Sequence, residues 1–276
     1  MASKYKGFPK LIFYLLVLSL IILFIRRDEY LENYRELRSA EFDTTAVDTL
    51  IEIQVVEEVR ESRDLSSGLV AYYPFSGDAK DASRKNNDGE VIGAILTADR
   101  YRLPFNAFKF NGVSDYIKLP KTARLKSMLN TFTATAWISP AIYEGSRGIM
   151  AWDGHWSLAI DKLKIVGKIC GYPNQMKSVY SGNTLPINEW SFVGISYNGH
   201  KIDIYTNGNR VGSVPFRADS LGFKGFRLYS EPVIGHGVGV YPQYFKGNID
   251  ELYFYSRALN QTEIKALYNS QRPANS

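Results

Sequence analysis

The sequence predicts an all-β fold of short antiparallel strands, a sandwich or a barrel. Three observations carry that prediction. Aromatic residues make up 14% of the 276 residues, with 19 Tyr and 22 Gly, a mix suited to strands and tight turns. Two Asn-Gly pairs, at 198–199 and 207–208, bracket one alternating segment as hairpin turns do. The strand candidates are not interleaved with helices, so βαβ units are not indicated.

The first 67 residues have a different character. Leu11 to Ile25 carries no charge, Ser19 is its one strongly polar side chain, and Lys10 and Arg26-Arg27 bracket it. Its fifteen residues fall short of the roughly 17 to 25 of a typical span, and snorkelling of Lys10 and Arg26 extends the usable length. A cleaved signal peptide has a similar basic start and apolar core. Here Arg26-Arg-Asp-Glu-Tyr30 follows at once, with no small-x-small cleavage site. The reading is a tail over residues 1–10 and a transmembrane signal anchor over 11–27, held in a lipid bilayer. Basic residues are nearly balanced on its two sides, so charge does not orient it.

Residues 28–67 read as an acidic, membrane-proximal helical stalk, with four Arg against twelve acids. Tyr30, Leu31, Tyr34 and Leu37 recur at helical spacing, but the heptads are too few for a coiled coil; oligomerisation through the stalk stays open. Residues 68–276 carry 24 basic against 16 acidic residues, a net +8. Such a surface can meet acidic glycans or phosphate-bearing lipids, or be charged only for solvation. No nucleic-acid partner is expected. Cys170 is the single cysteine, which excludes an intrachain disulfide and Cys-rich zinc sites.

From Gly68 onward the strand candidates follow one another. They are Gly68–Phe75, Glu90–Ile95, Phe108–Leu119, Phe132–Ser139, Ile149–Trp152, Trp156–Ile160 and Leu163–Ile169. In Phe132–Ile138, Phe132, Ala134, Ala136 and Ile138 alternate with Thr133, Thr135 and Trp137. Trp190–Gly212 reads as a three-stranded meander. The stretch Phe245–Tyr268 closes the domain. Counting by two places Asp250 on one face with Leu252 and Phe254, where an unpaired carboxylate would be costly. A helix then starts at Asn260, with Glu263 completing a capping box and Leu259 and Ile264 in the staple positions.

Five segments in this order resemble the laminin G-like domains of the concanavalin A-like lectin/glucanase superfamily. They are Leu69–Phe75 with the Asp/Asn loop after it, Phe110-Asn-Gly-x-x-Asp-Tyr-Ile117, Phe132–Ile138, Trp190 through Asn207-Gly208, and Gly247–Leu259. The resemblance implies a laminin G-like antiparallel β-sandwich over 68–276. It also implies that the domain works outside the cytoplasm, and that Trp137 and Trp190 lie in the core between the sheets.

The resemblance further implies a structural calcium ion near the first loop and the closing strand. Its expected ligands are Asp81, Asp88 and Asp250, since calcium takes six to eight oxygens. In this loop Arg84 and Asn86 stand where relatives carry glycine. The partner of Asp250 is therefore either calcium or the side chain of Arg84 or Lys85.

Catalysis is not expected. The nearest match to the Glu-x-Asp-x-x-Glu pattern of the superfamily's glycosidases is Lys201–Thr206, which keeps only Asp203. Retaining chemistry needs two carboxyls on one face, and the neighbours Asp250 and Glu251 should point to opposite faces. For a ligand, Trp152, Asp153 and His155 in the loop Trp152–Trp156, with Tyr241 from a second loop, form the expected rim, because aromatic faces beside polar groups suit sugars. The expected function is a membrane-anchored, non-enzymatic module for a carbohydrate or other extracellular ligand. The alternative is a structural subunit docking a protein partner within a membrane assembly.

Overall fold

The computed structural model describes residues 65–142, 144–171, 175–218, 221–222, 231–237 and 243–273. The tail, the anchor and most of the stalk lie outside the described residues. Among those described, no helix is long and apolar enough to cross a membrane.

The chain builds β1 (Leu69–Tyr73), β2 (Glu90–Ile92), β3 (Ile95–Thr97), β4 (Ala107–Asn111) and β5 (Tyr116–Lys118). After a four-residue helix, α1 (Ala123–Lys126), come β6 (Phe132–Pro140), β7 (Ser146–Trp152), β8 (Trp156–Asp161), β9 (Lys164–Gly171) and β10 (Gln175–Thr184). The meander is β11 (Ser191–Tyr197), β12 (Lys201–Thr206) and β13 (Asn209–Pro215); β14 (Pro232–Ile234), β15 (Lys246–Tyr255) and helix α2 (Gln261–Gln271) close the fold.

These strands form two antiparallel sheets. One runs β13-β12-β11-β6-β15-β4-β3, with β1 also paired to β15; the other runs β10-β9-β8-β7-β14-β5-β2. The two inner faces share one core, including Phe132, Ala134, Ala136 and Ile138 from β6 and Trp156, Leu158 and Ile160 from β8. The expected β-sandwich is therefore present, and the alternation in β6 selects the inner face. The meander pairs as expected: Asn207 and Gly208 both adopt positive φ, 48° and 75°, which a two-residue hairpin turn between twisted strands requires.

A second, smaller core lies on the outer face of the first sheet. Trp137, Phe192, Tyr205 and Tyr255 pack there against Leu259, Ile264 and Leu267. Helix α2 covers this face, and its capping box is complete: Asn260 Oδ1 accepts from Glu263 N at 2.9 Å, and Glu263 Oε2 accepts from Asn260 N at 2.8 Å. The expectation that Trp137 lies between the sheets is thereby corrected. Trp137 alternates with the inward residues of β6 and so faces outward, where α2 rather than the other sheet buries it. Trp190 is only partly buried and packs against the same outer cluster.

The closing strand departs from simple alternation. Glu251 adopts φ +53°, and the pairing of β15 with β6 shifts register between Asp250 and Tyr253. This is a β-bulge, and it exchanges the faces on its two sides. Ile249, Leu252 and Phe254 all join the inner core, while Asp250 stands opposite Trp137 on the outer side. Asp250 therefore does not share a face with Leu252 and Phe254. The bulge also marks a change of partner: residues 246–249 pair with β4, and residues 252–255 pair with β1.

Candidate functional site

The bulge brings both acidic residues of β15 to one cation. Arg100 Nη1 forms a salt bridge with Asp250 Oδ2, and Arg100 lies 3.4 Å from Glu251 Oε2. The neighbours thus converge instead of pointing apart. The Arg100 side chain is 4% exposed, and its guanidinium lies over the rings of Tyr101 and Trp137. Its Nε donates to the backbone carbonyl of Gln271, the last residue of α2, at 2.7 Å. A cation at a helix C-terminus also meets the negative end of the helix dipole. Trp137 Nε1 donates to Gln271 Oε1 at 2.9 Å, so the same residue is held twice. On the other side, the hydroxyls of Tyr72 and Tyr253 donate to Glu251 Oε1 at 2.5 and 3.3 Å.

One guanidinium serves two carboxylates here, and this bears on the protonation of Asp250. Burial pushes the Asp250 carboxyl up to about 8, against the pull of Arg100, and the nearby Glu251 adds to the rise. The Asp250 partner is Arg100, not Arg84 or Lys85, which lie exposed in the first loop.

The three expected calcium ligands, Asp81, Asp88 and Asp250, are each engaged by groups of the protein. Asp81 is 8% exposed, and four N–H groups already occupy its carboxylate. Oδ1 accepts from Tyr72 N at 3.0 Å and Ser83 N at 2.9 Å; Oδ2 accepts from Asn87 N at 3.1 Å and Asn87 Nδ2 at 3.3 Å. Burial alone would raise this carboxyl, but the hydrogen bonds from Ser83, Tyr72 and Asn87 hold it below the usual range. Asp88 Oδ1 accepts from Asp81 N at 2.9 Å. The loop is thus tied together by its own N–H groups, and Asp250 is held by a guanidinium. No group of three potential ligands gathers among the described residues. Arg84 and Asn86 both take left-handed backbone, at φ 62° and 59°.

The expected aromatic rim is not displayed. Trp152 pairs across a tight hairpin with Trp156, and the two are 2% and 1% exposed. Both belong to the inner core, where Trp156 stacks on Phe132 at 4.8 Å between centroids. Asp153 is 7% exposed. His155 is half-buried, its Nδ1 lies 2.9 Å from the Asp153 carbonyl, and burial lowers its pKa. A buried indole offers no face for a sugar ring, so Trp152 is a core residue. Tyr241 lies outside the described residues.

A recess among the described residues lies elsewhere. An open groove of about 550 Å³ runs between the first loop and the sandwich edge formed by β2 and β3. Asp78, Lys80 and Asp88 supply its polar rim; Val91, Ile95 and Leu96 line its apolar side, with the buried Phe108 beneath. Asp78 and Lys80 pair at 2.9 Å with both side chains largely in solvent, so they remain free to exchange that contact for a ligand. The staple on Asp81 positions this rim, because it fastens the loop to β1 through Tyr72 N. The Asp and Asn content of this loop marks it in the sequence. Arg100, in a segment without periodic pattern, went unassigned.

Asp203, the one match to the glycosidase pattern, is engaged within its own sheet. Its carboxylate accepts from Ser213 Oγ at 2.5 Å and pairs with Lys201 at 2.7 Å.

Three comparisons place this geometry among known proteins. A family model described as the concanavalin A-like lectin/glucanases superfamily matches residues 111–265, more than half of the chain. A search of curated proteins finds no match. Among solved structures, the chain is similar to the binding domain of Paraclostridial Mosquitocidal Protein 1 at 19% identity and a TM-score of 0.59, over 75% of this chain and 53% of that one. It is similar to the binding domain of botulinum neurotoxin DC, solved in complex with SialylT, at 16% identity and a TM-score of 0.57, over 75% and 52%. The third is a structure of botulinum neurotoxin type C, whose cell entry is described as dependent on two ganglioside molecules. It shares 15% identity and a TM-score of 0.60 over 77% and 53%. The chain spans about half the length of these structures, and the likeness is one of fold.

Proposed function

Because the chain belongs to the concanavalin A-like lectin/glucanase superfamily, we propose that it is a membrane-tethered module that holds a glycan in the groove beside β2 and β3. The module is non-enzymatic. In keeping with that, both acidic residues of the closing strand are engaged by Arg100, with Glu251 also held by tyrosine hydroxyls. The groove carries the glycan reading. Carboxylates and an ammonium group at its rim suit sugar hydroxyls, and the side chains of Val91, Ile95 and Leu96 suit the C–H faces of a pyranose ring. The apolar segment 11–25 supports the tether.

The test is a glycan array probed with the detergent-purified full chain. Binding should survive a calcium chelator and fall at least tenfold in Asp78→Ala and Lys80→Ala. Binding unchanged in both variants would remove the groove from this role. An array without signal, alongside specific co-purification of a protein partner, would favour the assembly-subunit reading instead.

A further inference from the structure

Nine large apolar side chains are exposed among the described residues, and six of them fall between Val91 and Val113. The densest run is the loop joining β3 to β4, where Tyr101-Arg-Leu-Pro-Phe105 is exposed at five consecutive positions. Tyr101 is 42%, Leu103 52% and Phe105 64% exposed. An apolar run of this kind on a surface is unfavourable unless it is used.

The loop is nevertheless firmly built. Asp99, 6% exposed, accepts from Tyr101 N at 2.7 Å and Leu103 N at 2.9 Å. Asn106 N donates to Thr97 O at 3.1 Å, and Tyr101 Oη donates to the Gln271 carbonyl at 2.5 Å. Within this frame Arg102 and Phe105 adopt φ 66° and 62°, left-handed values that bulky residues avoid. Strain of that kind persists where the surrounding structure imposes it, and it clusters at functional positions. Here it accompanies a phenylalanine held in water.

We infer that residues 101–105 insert into the headgroup region of an anionic lipid bilayer. The inference rests on the tether reading above. Two aromatic rings, a leucine and a proline with a single basic residue are the composition that settles at a membrane interface. Arg102 is the one exposed charged residue between 98 and 106, so the charge of the tip complements anionic lipid. A tip this small binds weakly alone. A tether converts its binding into an intramolecular event at high effective concentration. The neighbouring groove is recessed and polar-rimmed, whereas the tip is exposed and apolar, so the two features suit different ligands.

The test uses the full chain reconstituted into vesicles of phosphatidylcholine and phosphatidylserine. A nitroxide label is placed at Leu103→Cys or, as a control on β10 at the other edge of the second sheet, at Tyr180→Cys. The parent chain, with its buried Cys170, gives the background. The label at 103 should show a several-fold higher ratio of oxygen to nickel-chelate accessibility in vesicles than in detergent. The label at 180 should not, and Arg102→Glu should reduce the rise at 103. If the chain floats with the vesicles while both labels stay equally water-accessible, the inference is overturned and the tether stands. A chain that does not float, with label 103 in water, overturns both. Glycan binding is scored separately on the array, so that reading stands or falls alone.

Discussion

Arg100 and Asp250 lie 150 positions apart in sequence and meet under helix α2, where the guanidinium also holds Glu251 and the final carbonyl of the helix. This contact joins the loop after β3, the closing strand and the C-terminal helix. Replacing Arg100 by Leu should cost about 3 kcal/mol, because it strands buried polar groups on three elements at once. Arg100→Lys should recover little, since one ammonium cannot reproduce the forked contacts. Urea melts of the full chain would measure both. A calcium chelator should not move the midpoint of the parent or of either variant.

The same contact sets a pH dependence. The Asp250 carboxyl is raised in the folded protein to about 8, from an ordinary value of 3.8. Between these values the folded state holds a proton that the unfolded chain has lost. The contribution to stability is therefore full at low pH and is lost as pH rises toward 8, with a slope of at most about 1.4 kcal/mol per pH unit. Asp250→Asn should flatten this slope. Equal slopes for parent and variant between pH 5 and 8 would place the proton elsewhere.

Trp137 sits under α2, where it stacks on Tyr268 at 5.6 Å between ring centroids and donates to Gln271. Trp137→Ala should cost about 3–5 kcal/mol and should loosen the helix before the sandwich. Hydrogen exchange would show this as early loss of protection in residues 264–271. Trp190→Ala, at a half-buried position, should cost less than half as much.

Arg84 occupies left-handed backbone at φ 62° on an exposed loop. Arg84→Gly should stabilise the domain by about 1 kcal/mol, a rise of about 2–4 °C in melting temperature. A fall on this substitution would mean that the arginine side chain makes a contact worth more than the strain.

The strands were legible because their signals are local. Alternation in β6, the turn at Asn207-Gly208 and the capping box of Asn260 and Glu263 each lie within a few residues, and each is present as read. The bulge was not legible. A left-handed residue inside a strand is usually marked by glycine, and here it is Glu251, so counting by two passed through it and put Asp250 on the wrong face. The partner of Asp250 was hidden for a different reason, since a contact across 150 residues leaves no mark in either segment. Trp152 and Asp153 failed as a rim because a turn rich in aromatics looks the same whether its rings point to solvent or into the core.

The staple between Asp81 and Tyr72 N has a mechanical consequence. Pulling between the groove rim at Asp78 and Lys80 and Leu69 at the start of β1 would load β1, its ladder to β15 and this staple. Most of the two sheets lies outside that path. Rupture under tension should therefore begin with the peeling of β1 from Leu252–Tyr255, while the core around Phe132 and Trp156 stays folded and able to take the strand back.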